Sequence, residues 1–188
     1  MTRQILRPII LLLLALLAAS PPAKAEKLYA DEIFAILQEK QNRIDYIRQG
    51  ISEAWQYLDL DNVKEYAQYD DFPQRFLDLQ LARFNRIMSK MNFAAAAIAD
   101  DAAKLLIDHQ SDGTLSPIVM EEGIAKYTSM RDFFEEYANN TVTEFCELWY
   151  RYHPANEFPA NDLYIFDDDN LFMMYYGVSA ADWPDLPR

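Results

Sequence analysis

Glycine is scarce in this chain, with four in 188 residues. The tight turns of β-hairpins lean on glycine because it takes positive φ at no steric cost. So few glycines argue against a fold of many short hairpins. Cysteine is scarcer still. Cys146 is the only one, so no internal disulfide can form. It sits within Phe145-Cys146-Glu147-Leu148-Trp149, at an expected helix interface, and reads as a buried inert thiol. The alternative is an intermolecular disulfide.

Histidine occurs twice, at His109 and His153. No HxxxH or CxxC pair is present, whereas zinc asks for three or four clustered ligands. There is no CxxCH for covalent haem, no GxSxG elbow and no glycine-rich phosphate loop. Met88, Met91 and His109 share one helical face, but methionine at helical spacing reads as core rather than as haem ligation. Carboxylate pairs such as Asp70-Asp71, Asp100-Asp101, Glu121-Glu122 and Glu135-Glu136 are the raw material of glycosidase chemistry. Neighbours on a helix point different ways, so these read as solvated faces. No cofactor is expected.

Basic charge is also in deficit, with 17 Lys and Arg against 30 Asp and Glu and a net charge of −13. Such a polyanion repels phosphate backbones and anionic lipid heads. Nucleic acid and membrane surfaces are poor partners, and a cationic protein, a cation or a basic peptide is favoured.

What is present begins with a three-part leader. Arg3 and Arg7 precede an apolar run from Ile9 to Ala19, then Pro21 and Pro22, then Ala23-Lys24-Ala25. This is the pattern of a cleavable signal peptide over residues 1–25. The 11-residue run is well short of the roughly 20 that span a bilayer. The leader carries three basic residues (Arg3, Arg7, Lys24) and no acidic one, so its removal takes the net charge from −13 to −16. The expected location is periplasmic or secreted. Residues 26–188 are long enough for one domain with a real core.

Apolar spacing then sets the architecture. Ile33, Leu37, Ile44, Ile47, Ile51, Trp55 and Leu58 mark one face of a helix near 30–58, with Gly50 inside it. Asn62-Val63-Lys64-Glu65 reads as a capping box opening a short helical piece, and Asp71-Phe72-Pro73-Gln74 as another start. Leu77, Leu81, Phe84, Met88, Met91, Ala95, Ile98, Ala102, Leu105 and His109 alternate steps of four and three. They predict one long helix from about 72 to 109 with a narrow, seam-like stripe. Ala94–Ala97 would admit a close neighbour. Ser116-Pro117 starts a further helix along Met120, Ile124, Tyr127, Phe134, Ala138, Phe145, Trp149 and Tyr152. Asn139-Asn140 is a possible break in it, with Thr141 and Glu144 capping a fresh start.

The segment from 154 to 188 differs, with prolines at 154, 159, 184 and 187. Between residues 152 and 187 it has no Lys or Arg, seven acidic residues and eight aromatics. Leu163–Phe166 and Leu171–Tyr176 read either as two short strands or, in the preferred reading, as a helix at 170–176 ended by Gly177.

Asp108 to Leu115 resembles the front of an EF-hand loop, with Asp108, Asp112 and Gly113 in register. Gln110 and Val119 occupy two ligand positions and Pro117 interrupts the loop, so Asp108 and Asp112 are weak calcium candidates against a plain turn.

The expected fold is an all-α, up-and-down bundle of about four helices carrying a Pro-rich, aromatic and acidic tail. The expected function is an exported acidic binding protein, of the inhibitor or immunity kind, that caps a basic enzyme. Asp167, Asp168 and Asp169 would meet the basic cleft, with Tyr164, Tyr175 and Tyr176 as aromatic anchors. The alternatives are a small-ligand or metal-binding bundle and a cell-wall hydrolase.

Overall fold

The computed structural model describes residues 28–69, 73–152 and 165–179. The expected leader, His153, Tyr164 and the prolines at 154, 159, 184 and 187 lie outside them. Among the described residues the fold is all-α, with five helices and no strand: α1 (Ala30–Tyr57), α2 (Leu60–Tyr66), α3 (Gln74–Asp108), α4 (Pro117–Tyr150) and α5 (Ile165–Tyr175). None is long and apolar enough to cross a membrane.

The three long helices run up and down. α3 is central, packing most extensively on α4, then on α1, and also touching α2 and α5. At 1.5 Å per residue its 35 residues extend about 52 Å. The expected α1 face is the buried one: Ile33, Ile44, Ile47 and Leu58 are in the core. Likewise Met120, Tyr127, Phe134, Ala138, Phe145 and Trp149 of α4 are buried at the spacing expected of them. Ala95, Ala96, Ala99, Ala102 and Ala103 are buried along α3, so small side chains bring its neighbours close.

Several local expectations are corrected. α3 is not a narrow seam, because it is buried on all sides from Asn85 to Asn92. A central helix has neighbours on every side, so its polar positions are enclosed too. α4 runs unbroken through Asn139-Asn140, and the Thr141 hydroxyl donates back to the Tyr137 and Ala138 carbonyls rather than capping a new start. α2 begins at Leu60, ahead of the expected capping box, after Asp59 in the left-handed conformation (φ 51°). Pro73 stands just before the first residue of α3. Ser116 does cap α4, its hydroxyl accepting from Val119 N at 3.4 Å.

Gly50 is explained by what lies against it. A Cβ there would sit 2.5 and 2.6 Å from Tyr176 ring carbons and would also meet Met91 Cε. Glycine lets α5 and α3 press directly on the α1 backbone.

Candidate protein-binding surface

The segment 165–175 is a helix, so the strand reading is corrected. It ends as expected at Gly177, whose φ of 77° suits a residue without Cβ. Gly177 N donates to the Met174 carbonyl at 3.0 Å and Val178 N to the Met173 carbonyl at 3.1 Å. These two bonds form a Schellman stop, which satisfies carbonyls that a helix end leaves open.

The helical period divides α5 into two faces. Phe166, Asp169, Met173 and Tyr176 point inward and are buried, as is Val178 beyond the helix end. Phe166 packs against Trp149 at 4.9 Å between ring centroids and against Phe145 at 6.4 Å. Burying each of these large apolar side chains contributes about 1.5–3 kcal/mol to docking the helix. Asp167, Asp168, Leu171, Met174 and Tyr175 point outward. Leu171 is 64%, Met174 57% and Tyr175 71% exposed, so three large apolar side chains of an 11-residue helix face water.

The three aspartates therefore have different roles. Asp167 and Asp168 are exposed, but Asp169 is fully buried. Arg83 of α3 clamps it: Nε donates at 3.1 and 3.2 Å to the two carboxylate oxygens and Nη2 at 2.6 Å to Oδ1. Burial pushes the Asp169 carboxyl above its ordinary value, against the pull of Arg83 and Arg86. On Arg83 burial works in the opposite sense, yet the Asp169 contact outweighs it and the guanidinium holds its proton more tightly. We take the pair as ionised at neutral pH, because the forked geometry uses a carboxylate as acceptor for all three hydrogen bonds.

Asp169 is thus removed from the candidate surface, because a docking partner cannot reach it. Tyr176 is likewise too buried to serve as an anchor, although its ring lines a surface recess. It is 4% exposed and its hydroxyl donates to Glu53. That hydrogen bond, with burial second, raises the phenol to about 12. Tyr164 lies outside the described residues.

Sequence reasoning missed the groups beneath α5. Arg83 and Arg86 lie three residues apart on α3, and Arg86 is buried. Arg86 Nη2 donates to Asn170 Oδ1 at 2.7 Å, and its guanidinium lies 4.4 Å from the Phe166 ring centre. Burial lowers it to about 10, still protonated at neutral pH. The sequence offered only a general signal: an Asp-rich segment without a single cation needs counter-charges elsewhere, and Arg83 and Arg86 supply them.

A second buried carboxylate ties the start of α3 to the end of α4. Asp78 of α3 accepts from Arg151 Nη1 at 2.5 Å, Tyr152 Oη at 2.7 Å and Gln74 Nε2 at 2.8 Å. Burial pushes this carboxyl up, but the three hydrogen bonds outweigh it and hold it below its ordinary value.

Asp112 forms an Asx turn by accepting from Thr114 N at 2.8 Å, ahead of Gly113 at φ 71°. Asp108 is exposed at the end of α3. Among the described residues no group of three or more His, Cys, Asp or Glu is placed to hold a metal ion. A His109 ring nitrogen lies 2.9 Å from the Leu105 carbonyl within its own helix. Cys146 is half-buried beside the Phe145–Trp149 cluster, where burial pushes its thiol up and so disfavours the reactive thiolate.

No family model, no curated protein and no solved structure matches the chain.

Proposed function

We propose that this chain is an exported acidic binding protein whose α5 outer face docks a basic protein, as an inhibitor or immunity protein covers the cleft of a basic enzyme. The observation that carries the reading is the composition of that face. Leu171, Met174 and Tyr175 stand exposed beside Asp167 and Asp168 on a helix whose other side is fixed to the bundle. Exposed apolar side chains bordered by charge are the pattern of a binding surface: the apolar groups supply affinity, while the carboxylates steer and orient the partner. The net charge of −13 acts in the same direction at longer range. Export rests on the leader pattern of residues 1–25.

The test is a comparison of two affinity columns. One carries the wild-type protein and the other the Asp167→Lys/Asp168→Lys double variant, and both are loaded with cell-envelope proteins of the source organism at low salt. The expected result is a basic protein held by the wild type, released by rising salt and absent from the variant column. Equal retention on both columns would place the binding surface elsewhere or dismiss it.

A further inference from the structure

Five aromatic rings cluster where α5 lies along the second half of α1, with Tyr46 meeting Tyr176 at 5.2 Å and Tyr175 at 6.2 Å between centroids. Tyr57, at the last residue of α1, stacks on Phe172 with centroids 4.3 Å apart and planes 19° apart. Phe172 lies 5.2 Å from Tyr176, which meets Tyr175 edge-on at 5.0 Å. Together with Leu171 and Asp168 the rings other than Tyr46 line an open recess of about 470 Å³. The recess combines ring surfaces, whose faces carry negative potential, with a carboxylate at its rim. Burial, then the nearby Asp169 charge, raises the Tyr57 phenol, with the Arg83 guanidinium opposing both.

The cations nearby are already engaged. Arg83 is clamped on Asp169 and Arg86 donates to Asn170. Asp168 is exposed and has no ion-pair partner among the described residues.

We propose that this recess is a socket for a guanidinium, the side chain of an arginine on the basic partner. The inference rests on the docking surface proposed above for the source of that arginine. A guanidinium fits better than an ammonium for two reasons. It is planar and weakly hydrated, so it can lie on a ring face and along the apolar wall of Leu171 at less cost in lost water. Its N–H fork also points outward in the ring plane, where it can meet the Asp168 carboxylate. The same contact already exists on the inner side of α5, where Arg86 lies over Phe166.

The test uses protein expressed from the full-length gene and three small probes: Nα-acetyl-arginine methylamide, its lysine counterpart and its citrulline counterpart, which keeps the shape of arginine without the charge. Binding is followed by NMR of the aromatic rings. The arginine probe is expected to shift the rings of Tyr57, Phe172, Tyr175 and Tyr176, and to bind about tenfold more tightly than citrulline. Asp168→Asn and Tyr175→Leu should each weaken it severalfold while leaving the distant ring pair Phe133–Tyr137 unshifted. Three results would overturn the proposal: citrulline binding as well as arginine, lysine binding equally, or shifts confined to rings outside the recess. The column comparison fails independently. If a basic protein is retained through Asp167 and Asp168 while the arginine probe does not bind, the docking surface stands and the guanidinium socket falls.

Discussion

Asp168 and Asp169 are adjacent and chemically identical, yet the structure assigns them opposite roles, and removing each in turn separates those roles. Asp169 is fully buried and Arg83, its partner, is 17% exposed at the side chain. Replacing Asp169 with Ala leaves a largely enclosed guanidinium without its carboxylate. Breaking a buried pair from one side costs about 3–5 kcal/mol. Because Arg83 keeps some contact with water and also donates to Gln80, the lower end of that range, about 3 kcal/mol, is expected. With a urea slope near 2 kcal/mol per M, the midpoint falls by about 1.5 M. Asp168→Ala removes an exposed carboxylate and should stay within about 0.5 kcal/mol of wild type. The double replacement Arg83→Met/Asp169→Leu removes both desolvated charges, so it should recover most of the loss. Urea unfolding followed by far-ultraviolet circular dichroism measures all four. Hydrogen exchange of the α5 amides then shows whether the helix undocks first. Equal midpoints for Asp168→Ala and Asp169→Ala would refute the burial of Asp169, and with it the docking of α5.

Gly50→Ala should destabilise by about 1–3 kcal/mol through the clash with Tyr176, despite a gain of about 1 kcal/mol in helix propensity. In a Tyr176→Ala background, where the flexible Met91 methyl can swing into the vacated space, the same change should turn neutral or stabilising, as read by thermal melting. Asp78 is held below its ordinary value of 3.8, so its contribution is complete above that pH and is lost as pH falls through the lower folded value. Asp78→Asn should therefore flatten the acid limb of stability below about pH 4, checked by urea midpoints across that range. Protein recovered from the envelope should begin at Glu26 by N-terminal sequencing, and a product that starts at Met1 would remove the leader reading.

Periodicity made the long helices legible because α1 and α4 each bury one apolar face. The spacing of Ile33, Ile44 and Ile47, and that of Tyr127, Phe134 and Phe145, maps directly onto the core. It also placed α3, where Met88, Met91, Ala95, Ile98 and Ala102 of the expected stripe are buried, and only the narrow seam failed, for a physical reason. A helix packed on several sides also buries polar residues, and Asn85, Arg86, Lys90 and Asn92 have no place in an apolar stripe. The surface was half legible. A run of three aspartates looks uniform, but successive residues on a helix turn by about 100°, so Asp167 and Asp168 face water while Asp169 faces Arg83. Tyr175 and Tyr176 separate in the same way. Their partners, Arg83 and Glu53, lie 86 and 123 residues away from Asp169 and Tyr176, and no local pattern announces a pairing at that distance.

The most direct measurement is the association rate between this protein and the basic protein that it retains, taken as a function of ionic strength for wild type and for Asp167→Lys/Asp168→Lys. Steering by exposed carboxylates predicts a wild-type rate that falls steeply as salt rises from 0.05 to about 0.5 M, and a variant rate at least about tenfold lower at low salt with a flattened dependence. Superimposable rate curves for the two proteins would contradict α5 as the docking face.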